Sequence, residues 1–392
     1  MSATNLSGAR SAANRLLRGV REGWLILGMA LALFLGLEWM YRAQGALRRA
    51  LGGRSSVPTL DPAHHPYARQ IWWPELRAEV QRGRVRFDPY RGWWPEPQAA
   101  RYVHVDSAGR RVTIQPSPSA AGSRRLLLLG GSAMWGYTAR DSFTIPSQVA
   151  RRLAGAGAVE VVNLGQAAFT LTQEVTTLLL ELRRGDVPDV VVFLDGNNEI
   201  ATTFQSGSPG HVLNEAMFAD RFRGTGGVWG DALGTFRRSQ LVDRLARLVV
   251  RREAPSVPPS PAQACPVLAR HYRNLSRSVA ALGREYGFAV IFLWQPLRAT
   301  TRKPLTEWEG SIQSWPGYRD MLQRCTTAVD SAMRDRFEVT YVPLHQLFDR
   351  DTASVFLDEY GHVTESANGV IADRIVELVR PLLASRGRRV PR

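Results

Sequence analysis

The sequence predicts an α/β protein with a mainly parallel five-stranded sheet, preceded by an apolar N-terminal helix. Two observations support this fold class. Short apolar runs such as Leu126–Leu129 end in glycine-containing turns, as buried parallel strands do. Amphipathic stretches such as Ile145–Leu153 separate these runs, and this alternation implies that helices cover both faces of the sheet.

The alternation of strands and helices begins near residue 124. Strands are expected at residues 126–129, 159–163, 189–194, 288–294 and 338–342. Helices are expected at residues 145–153, 172–184, 270–285, 317–334 and 365–383. Residues 205–262 are rich in Gly, Arg and Pro and predict an insertion with a helical segment at 239–251, while residues 298–316 predict a second loop.

The first forty residues predict a membrane anchor. Residues 24–37 carry no charge, and the 18 residues from Trp24 to Tyr41 would rise about 27 Å as a helix, close to the roughly 30 Å of a hydrocarbon core. Four arginines precede this stretch and four follow it closely, so the charges do not orient the helix. The prediction is a tail at 1–22 and a single span at 23–42, with a cleaved signal peptide as the alternative.

Residues 43–123 predict a linker and a small accessory region that is β-rich or irregular. The region is rich in Trp and Pro, and residues 101–113 alternate about a turn at Ala108-Gly109, as in a short hairpin. Its tryptophans could stack on sugar rings or pack the region against the main domain. The main domain is expected over 124–385, followed by a basic tail at 386–392.

Composition narrows the possible partners. Lys and Arg number 50 against 35 Asp and Glu, a net charge of +15, but the arginines are scattered and no nucleic-acid-binding motif accompanies them. Nucleic acid is therefore not an expected partner, and a charge-driven membrane-surface adaptor is a weaker hypothesis. The two cysteines, Cys265 and Cys325, are too few for a four-cysteine zinc site and form either one bridge or two buried thiols.

Unusual polar residues and glycines follow four of the predicted strands. Ser132 follows the first strand, Gly165 the second and Asn198 the third, while Asp358 and His362 follow the fifth. Ligand sites in open α/β sheets lie at the carboxyl ends of the strands. We therefore expect these five residues to meet at one edge of the sheet.

This set of residues is sufficient for acyl transfer. Ser132 would be the nucleophile, His362 its general base, and Asp358 the carboxylate that orients the imidazole. A backbone N–H at Ser132, the Gly165 N–H and the Asn198 side-chain amide would form the oxyanion hole. Each residue alone is weak evidence, because Gly-Gly-Ser after a strand is also typical of a tight turn. The turn lacks the patterns of a dinucleotide fingerprint, a P-loop and a G-x-S-x-G nucleophile elbow.

The four segments resemble the blocks of the SGNH (GDSL-like) hydrolase superfamily. Gly130-Gly131-Ser132 resembles the first block, Gly165 the second, Gly196-Asn197-Asn198-Glu199 the third and Asp358 with His362 the fifth. The resemblance covers roughly residues 124–385. It implies a flavodoxin-like three-layer α/β/α fold and hydrolysis or transfer of ester-linked acyl groups, without a metal or other cofactor. It also implies a histidine that acts directly on the serine.

One spacing departs from the family. The acid usually lies three residues before the histidine, whereas Asp358 lies four before His362 and Glu359 occupies the usual position. Either carboxylate could orient the ring, and we favour Asp358 on the assumption that Gly361 accommodates the extra residue. Glu199 stands where the third block usually has Asp, a milder change.

These observations together predict a serine-dependent esterase or O-acyltransferase. Its expected substrate is an acylated small molecule or carbohydrate, since envelope-facing relatives often act on acetylated polysaccharide. We expect it to be anchored in the cell inner membrane, with the catalytic domain in the periplasm. The alternative is a non-catalytic glycan-binding or assembly factor that retains the fold.

Overall fold

The structure is a computed structural model that describes residues 18–40, 64–116, 122–155, 157–215, 259–334 and 339–385. The chain divides into two units, residues 1–58 with 217–255 and residues 59–216 with 256–392. Several predicted segments lie wholly or largely outside the described residues, namely the N-terminal tail, the linker, the insertion with its helix at 239–251, and the basic tail. The boundary predicted at residue 123 stays a prediction.

The described part of the first unit is one helix, α1 (Arg18–Met40). It has 23 residues and contains an 18-residue window with a mean hydropathy of 1.7. Its length and composition suit a membrane span, and a signal sequence near the N-terminus has the same properties. The helix covers nearly all of the span predicted at 23–42.

The accessory region contains a helix and two small antiparallel sheets. Helix α2 (Trp73–Arg82) has proline in its first turn, where the missing N–H costs no hydrogen bond. Strand β1 (Val85–Asp88) pairs with β2 (Gly92–Pro95), and β3 (Gln98–Ala99) pairs with β4 (His104–Val105). The expectation of a β-rich or irregular region was therefore wrong for α2, which exists because Leu76 packs into a hydrophobic cluster with the main domain.

The predicted turn at Ala108-Gly109 lies in a short hairpin. Val112 donates a backbone hydrogen bond to His104, and Gly109 has a φ of +79°, which favours glycine. Trp94 is buried and its indole N–H donates to the Ala108 carbonyl. This tryptophan therefore packs within the protein instead of offering a surface to a ligand.

Five parallel strands form the central sheet of the second unit, in the spatial order β6-β5-β7-β8-β9. In chain order the strands are β5 (Arg124–Gly130), β6 (Val159–Asn163), β7 (Val190–Asp195), β8 (Ala289–Trp294) and β9 (Thr340–Pro343). Numbered within this sheet the order is 2-1-3-4-5, which is the flavodoxin-like arrangement. The winding reverses between β5 and β7, so a crevice opens at their carboxyl ends.

Helices cover both faces of this sheet. In chain order they are α3 (Ser132–Trp135), α4 (Ile145–Leu153), α5 (Leu171–Arg183), α6 (Asn197–Ser206), α7 (Pro261–Tyr286), α8 (Glu307–Ser311), α9 (Tyr318–Met333) and α10 (Glu365–Ser385). Leu127 and Leu129 of β5 pack on the side of α5, α7 and α9, whereas Leu126 and Leu128 pack on the side of α4 and α10. This alternation between two buried faces explains why β5 reads as a continuous apolar run.

Three helices of the second unit illustrate where the structure differs from the predicted elements. Helix α7 begins nine residues earlier than expected, because Pro261 occupies its first turn and Cys265 and Leu268 are buried against the core. Helix α6 begins directly after β7, where only a turn was expected. Helix α8 lies within the predicted loop at 298–316, where the Thr306 side chain caps its first turn.

A disulfide joins Cys265 of α7 to Cys325 of α9. The two helices lie side by side on one face of the sheet, and both cysteines are buried. Of the two alternatives left open by the sequence, the structure therefore has the bridge.

Candidate active site

The nucleophile loop depends on two glycines that follow β5. Gly130 has a φ of +156°, and a Cβ there would lie 2.8 Å from the Leu194 carbonyl oxygen. A Cβ on Gly131 would lie 2.3 Å from Nδ2 of Asn198. Both positions are too close for any side chain. The Gly-Gly pair therefore lets the first turn of α6, which carries Asn198, approach Ser132, the first residue of α3.

The structure places Ser132, His362 and Asp358 in one hydrogen-bonded chain. Ser132 Oγ lies 2.7 Å from His362 Nε2, and His362 Nδ1 lies 2.6 Å from Asp358 Oδ2. A carboxylate accepts at Nδ1, which leaves Nε2 as the acceptor for the serine hydroxyl. The ring is therefore held in the tautomer that can remove the proton from Ser132.

The loop that carries the acid and the histidine is closed by its own backbone. Leu357 N–H donates to the His362 carbonyl at 2.9 Å, and Asp358 Oδ1 accepts from Tyr360 N–H at 2.9 Å. Gly361 has a φ of +82°, and a Cβ there would lie 2.1 Å from Gln295 Nε2. Glycine at this position thus accommodates the extra residue between Asp358 and His362.

Glu359 does not contact the histidine and is instead part of a buried ion pair. Its carboxylate accepts from Arg298 Nε at 2.8 Å and also bonds Arg298 Nη2 and the Ser314 hydroxyl. The Arg298 side chain is 1% exposed and that of Glu359 is 7% exposed. This pair ties the loop after β9 to the loop after β8.

The three expected oxyanion donors differ in the hydrogen bonds that they already make. Asn198 Nδ2 donates to the Phe169 carbonyl at 2.8 Å, which uses one of its two hydrogens and holds the amide beside Gly131. The Gly165 N–H, in contrast, donates to Asn163 Oδ1 at 3.0 Å within its own loop. Gly165 would thus act in the oxyanion hole only by sharing that hydrogen with Asn163. The Ser132 N–H opens the first turn of α3 and has no intrahelical acceptor.

Glu199 holds the segment after β7, which carries the third sequence block, in place. One carboxylate oxygen accepts from Gly196 N–H at 2.8 Å, and the other accepts from Leu171 N–H at 2.9 Å. The side chain therefore joins the end of β7 to the start of α5, next to the segment on which Asn198 is held. Glutamate at this position therefore has a structural role, as the resemblance implies for the acid of the third block.

Behind this loop lies a buried acid cluster, formed by Glu174, Asp195 and Glu199. Its carboxylate oxygens lie within 4.8 Å of one another. Burial and mutual repulsion raise the pKa of Glu174 and of Asp195 well above their ordinary values, and burial raises the pKa of Glu199. Tyr272 donates to Asp195 at 2.8 Å. Among the described residues these three acids are the set whose oxygens could converge on a metal ion, and both Glu174 oxygens and Asp195 Oδ1 are buried there without a hydrogen-bond partner.

Two residues near the triad carried no sequence signal. Tyr137 stacks on the His362 ring at 5.2 Å between centroids, with 17° between the planes. Arg111 from the accessory region is buried, pairs with Asp141 at 2.6 Å and donates to the carbonyls of Gly136 and Ala139. The accessory region thus holds the segment that presents Tyr137 to the histidine.

Glu174 of the acid cluster, in contrast, could have been noticed in the sequence, because it is a charged residue on the apolar face of α5 between Leu171 and Leu178.

The chain resembles SGNH hydrolases in its fold. This resemblance depends on the flavodoxin-like strand order and on the positions of the four sequence blocks after the strands of the sheet. Similar solved structures include a lipase/acylhydrolase from Enterococcus faecalis, with 16% identity, a TM-score of 0.36 and coverage of 66% of this chain and 96% of that one. A G-D-S-L family lipolytic protein from Veillonella parvula has 10% identity, a TM-score of 0.38 and coverage of 65% and 98%.

A third solved structure is a catalytic mutant of an acetylxylan esterase from Geobacillus stearothermophilus. It has 12% identity, a TM-score of 0.36 and coverage of 67% of this chain and 95% of that one. No protein-family model matches the chain, and no curated protein matches it. Similarity at this level carries no argument about chemistry, which therefore depends on the site itself.

Proposed function

We propose that this protein is a serine-dependent esterase or O-acyltransferase of the SGNH type. The observation that carries the proposal is the chain of two short hydrogen bonds from Ser132 through His362 to Asp358. An activated serine beside an amide donor is the arrangement that ester cleavage requires. The sequence blocks place the same residues in the same roles.

In the first half of the reaction, Ser132 Oγ attacks the acyl carbonyl carbon while His362 Nε2 takes the hydroxyl proton. The carbonyl electron pair moves onto oxygen, where the Asn198 amide and the Ser132 N–H stabilise the negative charge. The tetrahedral intermediate collapses, the bond to the leaving alcohol breaks, and His362 returns the proton to that alcohol. Asp358 stabilises the imidazolium while it exists.

In the second half, an acceptor hydroxyl attacks the acyl-enzyme. His362 removes the acceptor proton, and the bond between the acyl carbon and Ser132 Oγ then breaks as the serine regains a proton. Water as acceptor makes the protein an esterase, whereas a sugar hydroxyl makes it an acyltransferase. The two outcomes share every residue named here and differ in the acceptor.

We place the catalytic unit outside the cytoplasmic membrane, anchored by α1 in the inner membrane. Two features support this placement. Helix α1 has the length of a membrane span. The disulfide between Cys265 and Cys325 is typical of proteins in oxidising compartments such as the periplasm. Alkaline phosphatase fused after Arg392 should be active in cells, and an inactive but intact fusion would contradict the placement.

The function is tested with the full-length chain in detergent micelles. The wild type should hydrolyse p-nitrophenyl acetate and react covalently with a fluorophosphonate probe, and Ser132→Ala should do neither. Acetate and acetylated sugar products, measured with and without a glycan acceptor, separate hydrolysis from transfer. A folded wild type that neither reacts with the probe nor cleaves the ester would favour the alternative, a non-catalytic glycan-binding factor.

A further inference from the structure

A cavity of about 290 Å³ adjoins the candidate triad on the side of Asp358. The accessory region contributes His65, Trp73 and Arg77 to its wall, and the main domain contributes Tyr137, Trp308 and Asp358. All of these residues belong to the second unit. The accessory region and the main domain therefore build this cavity together.

The cavity shares two residues with the surroundings of His362. Asp358 bonds the imidazole at 2.6 Å, and Tyr137 stacks on the same ring at 5.2 Å. Ser132 Oγ lies 2.7 Å from the other ring nitrogen, so the Asp358 carboxylate and the imidazole lie between the cavity and the nucleophile. A ligand that fills the cavity is therefore held close to the triad, on the Asp358 side.

The lining combines aromatic faces with planar polar groups. His65 stacks on Trp73 at 5.2 Å and meets Trp308 edge to face at 4.6 Å, so the three rings form one rigid wall. Arg77 and Gln81 on the exposed side of α2 offer several hydrogen-bond donors and one acceptor. The buried indole N–H of Trp308 has no hydrogen-bond partner within the described part of the chain. Val80 and Leu357 are the aliphatic residues of the lining.

This composition matches a sugar ring better than an acyl chain. An acyl chain needs a mostly aliphatic channel, because each polar group left without a partner there costs free energy. A sugar ring presents C–H faces that pack on aromatic rings and hydroxyl groups that exchange hydrogen bonds with guanidinium, amide and carboxylate groups. Burial and the nearby positive charge of Arg77 lower the pKa of His65, which favours the neutral form of this ring.

We infer that the cavity is a carbohydrate subsite that binds a sugar ring of an acylated glycan next to the ring whose ester is cleaved. The inference rests on the proposed function and names its substrate class. Trp73 supplies an aromatic contact, and Arg77, whose guanidinium carbon lies 5.8 Å from the centre of the Trp73 ring, bonds the hydroxyls of the sugar. The accessory region is thus part of substrate recognition as well as a support for the nucleophile loop.

The test compares full-length variants on two kinds of ester. For each variant we take the ratio of kcat/KM for acetylated tetrasaccharides of xylose, glucose and N-acetylglucosamine to kcat/KM for p-nitrophenyl acetate. Arg77→Ala and Trp73→Ala should lower the ratio for the best tetrasaccharide at least tenfold, and Trp73→Phe should restore part of it. Arg82→Ala is the matched control, since Arg82 lies on the same helix, is exposed and does not line the cavity.

Each outcome separates the subsite from the proposed function. If Arg77→Ala leaves the ratio of tetrasaccharide to p-nitrophenyl acetate activity unchanged, the subsite is overturned. It is also overturned if Arg77→Ala loses activity only on a long-chain ester such as p-nitrophenyl palmitate. Cleavage of p-nitrophenyl acetate without cleavage of any tetrasaccharide also overturns the subsite but leaves the esterase proposal intact. If neither is cleaved, the esterase proposal fails, and tetrasaccharide titrations followed by tryptophan fluorescence decide the subsite. Binding that weakens tenfold in Arg77→Ala supports it, and no binding to the wild type overturns it.

Discussion

Replacing Asp358 by asparagine tests which carboxylate orients the histidine. An amide NH₂ group facing His362 Nδ1 would favour the tautomer with its proton on Nε2, which cannot accept the proton of Ser132. A buried triad acid is worth about 10⁴-fold in kcat in serine proteases. The Asp358 side chain is 34% exposed, so water can partly replace it. We therefore expect kcat to fall about 100- to 1000-fold, which is about 3–4 kcal/mol.

Glu359→Gln is the matched control for Asp358→Asn. It leaves Arg298 buried without a charged partner, and breaking a buried ion pair costs about 3–5 kcal/mol of the free energy of unfolding. The folded fraction should keep a kcat within a few-fold of the wild type, because Glu359 does not contact His362. The assay is p-nitrophenyl acetate turnover by active sites titrated with fluorophosphonate, alongside a thermal melt.

The reasoning is refuted by the opposite pattern. If Asp358→Asn keeps its turnover while folded Glu359→Gln loses it, Glu359 orients the ring in solution. The loop would then have to rearrange so that Glu359 leaves Arg298 and contacts His362. Equal losses in both variants at equal thermal stability would mean that neither carboxylate acts through the tautomer.

Three further predictions concern Asn198, the acid cluster and the disulfide. Asn198→Ala should lower kcat for p-nitrophenyl acetate by about 100- to 1000-fold with little change in KM, because one oxyanion donor is lost; a smaller effect than tenfold would remove Asn198 from the mechanism. Because burial raises the pKa of Glu174, the folded state keeps a proton that the unfolded state loses above about pH 4, so this group makes stability fall as pH rises towards its folded pKa. Glu174→Gln should therefore flatten the dependence of Tm on pH between about 5 and 8. If Tm depends on pH equally in Glu174→Gln and in the wild type, the raised pKa of Glu174 is contradicted. Cys265→Ser combined with Cys325→Ser should cost about 4 kcal/mol in the free energy of unfolding, because the bridge closes a loop of 60 residues; denaturant melts showing no loss would refute this estimate.

Much of the fold and of the candidate site could be predicted because the pattern of residues is local. The apolar runs of β5 and β7 and the glycine turns after them are visible in a few consecutive residues, and parallel strands place their carboxyl ends at one edge. From that rule we predicted that Ser132, Asn198 and His362 lie close together at this edge. The accessory helix α2 was missed, since its formation depends on packing against distant residues.

The sequence by itself determined the residue types, the order of the strands along the chain and the candidate nucleophile. Tertiary structure alone decided between Asp358 and Glu359, because both side chains are carboxylates and only the loop geometry at Gly361 turns one towards the imidazole. It also decided that Gly165 donates to Asn163, that three acids share a buried space, and that Trp73 and Arg77 line a cavity together with Asp358. These contacts join residues far apart in the chain, and their energies depend on burial and direction, which spacing along a sequence does not encode.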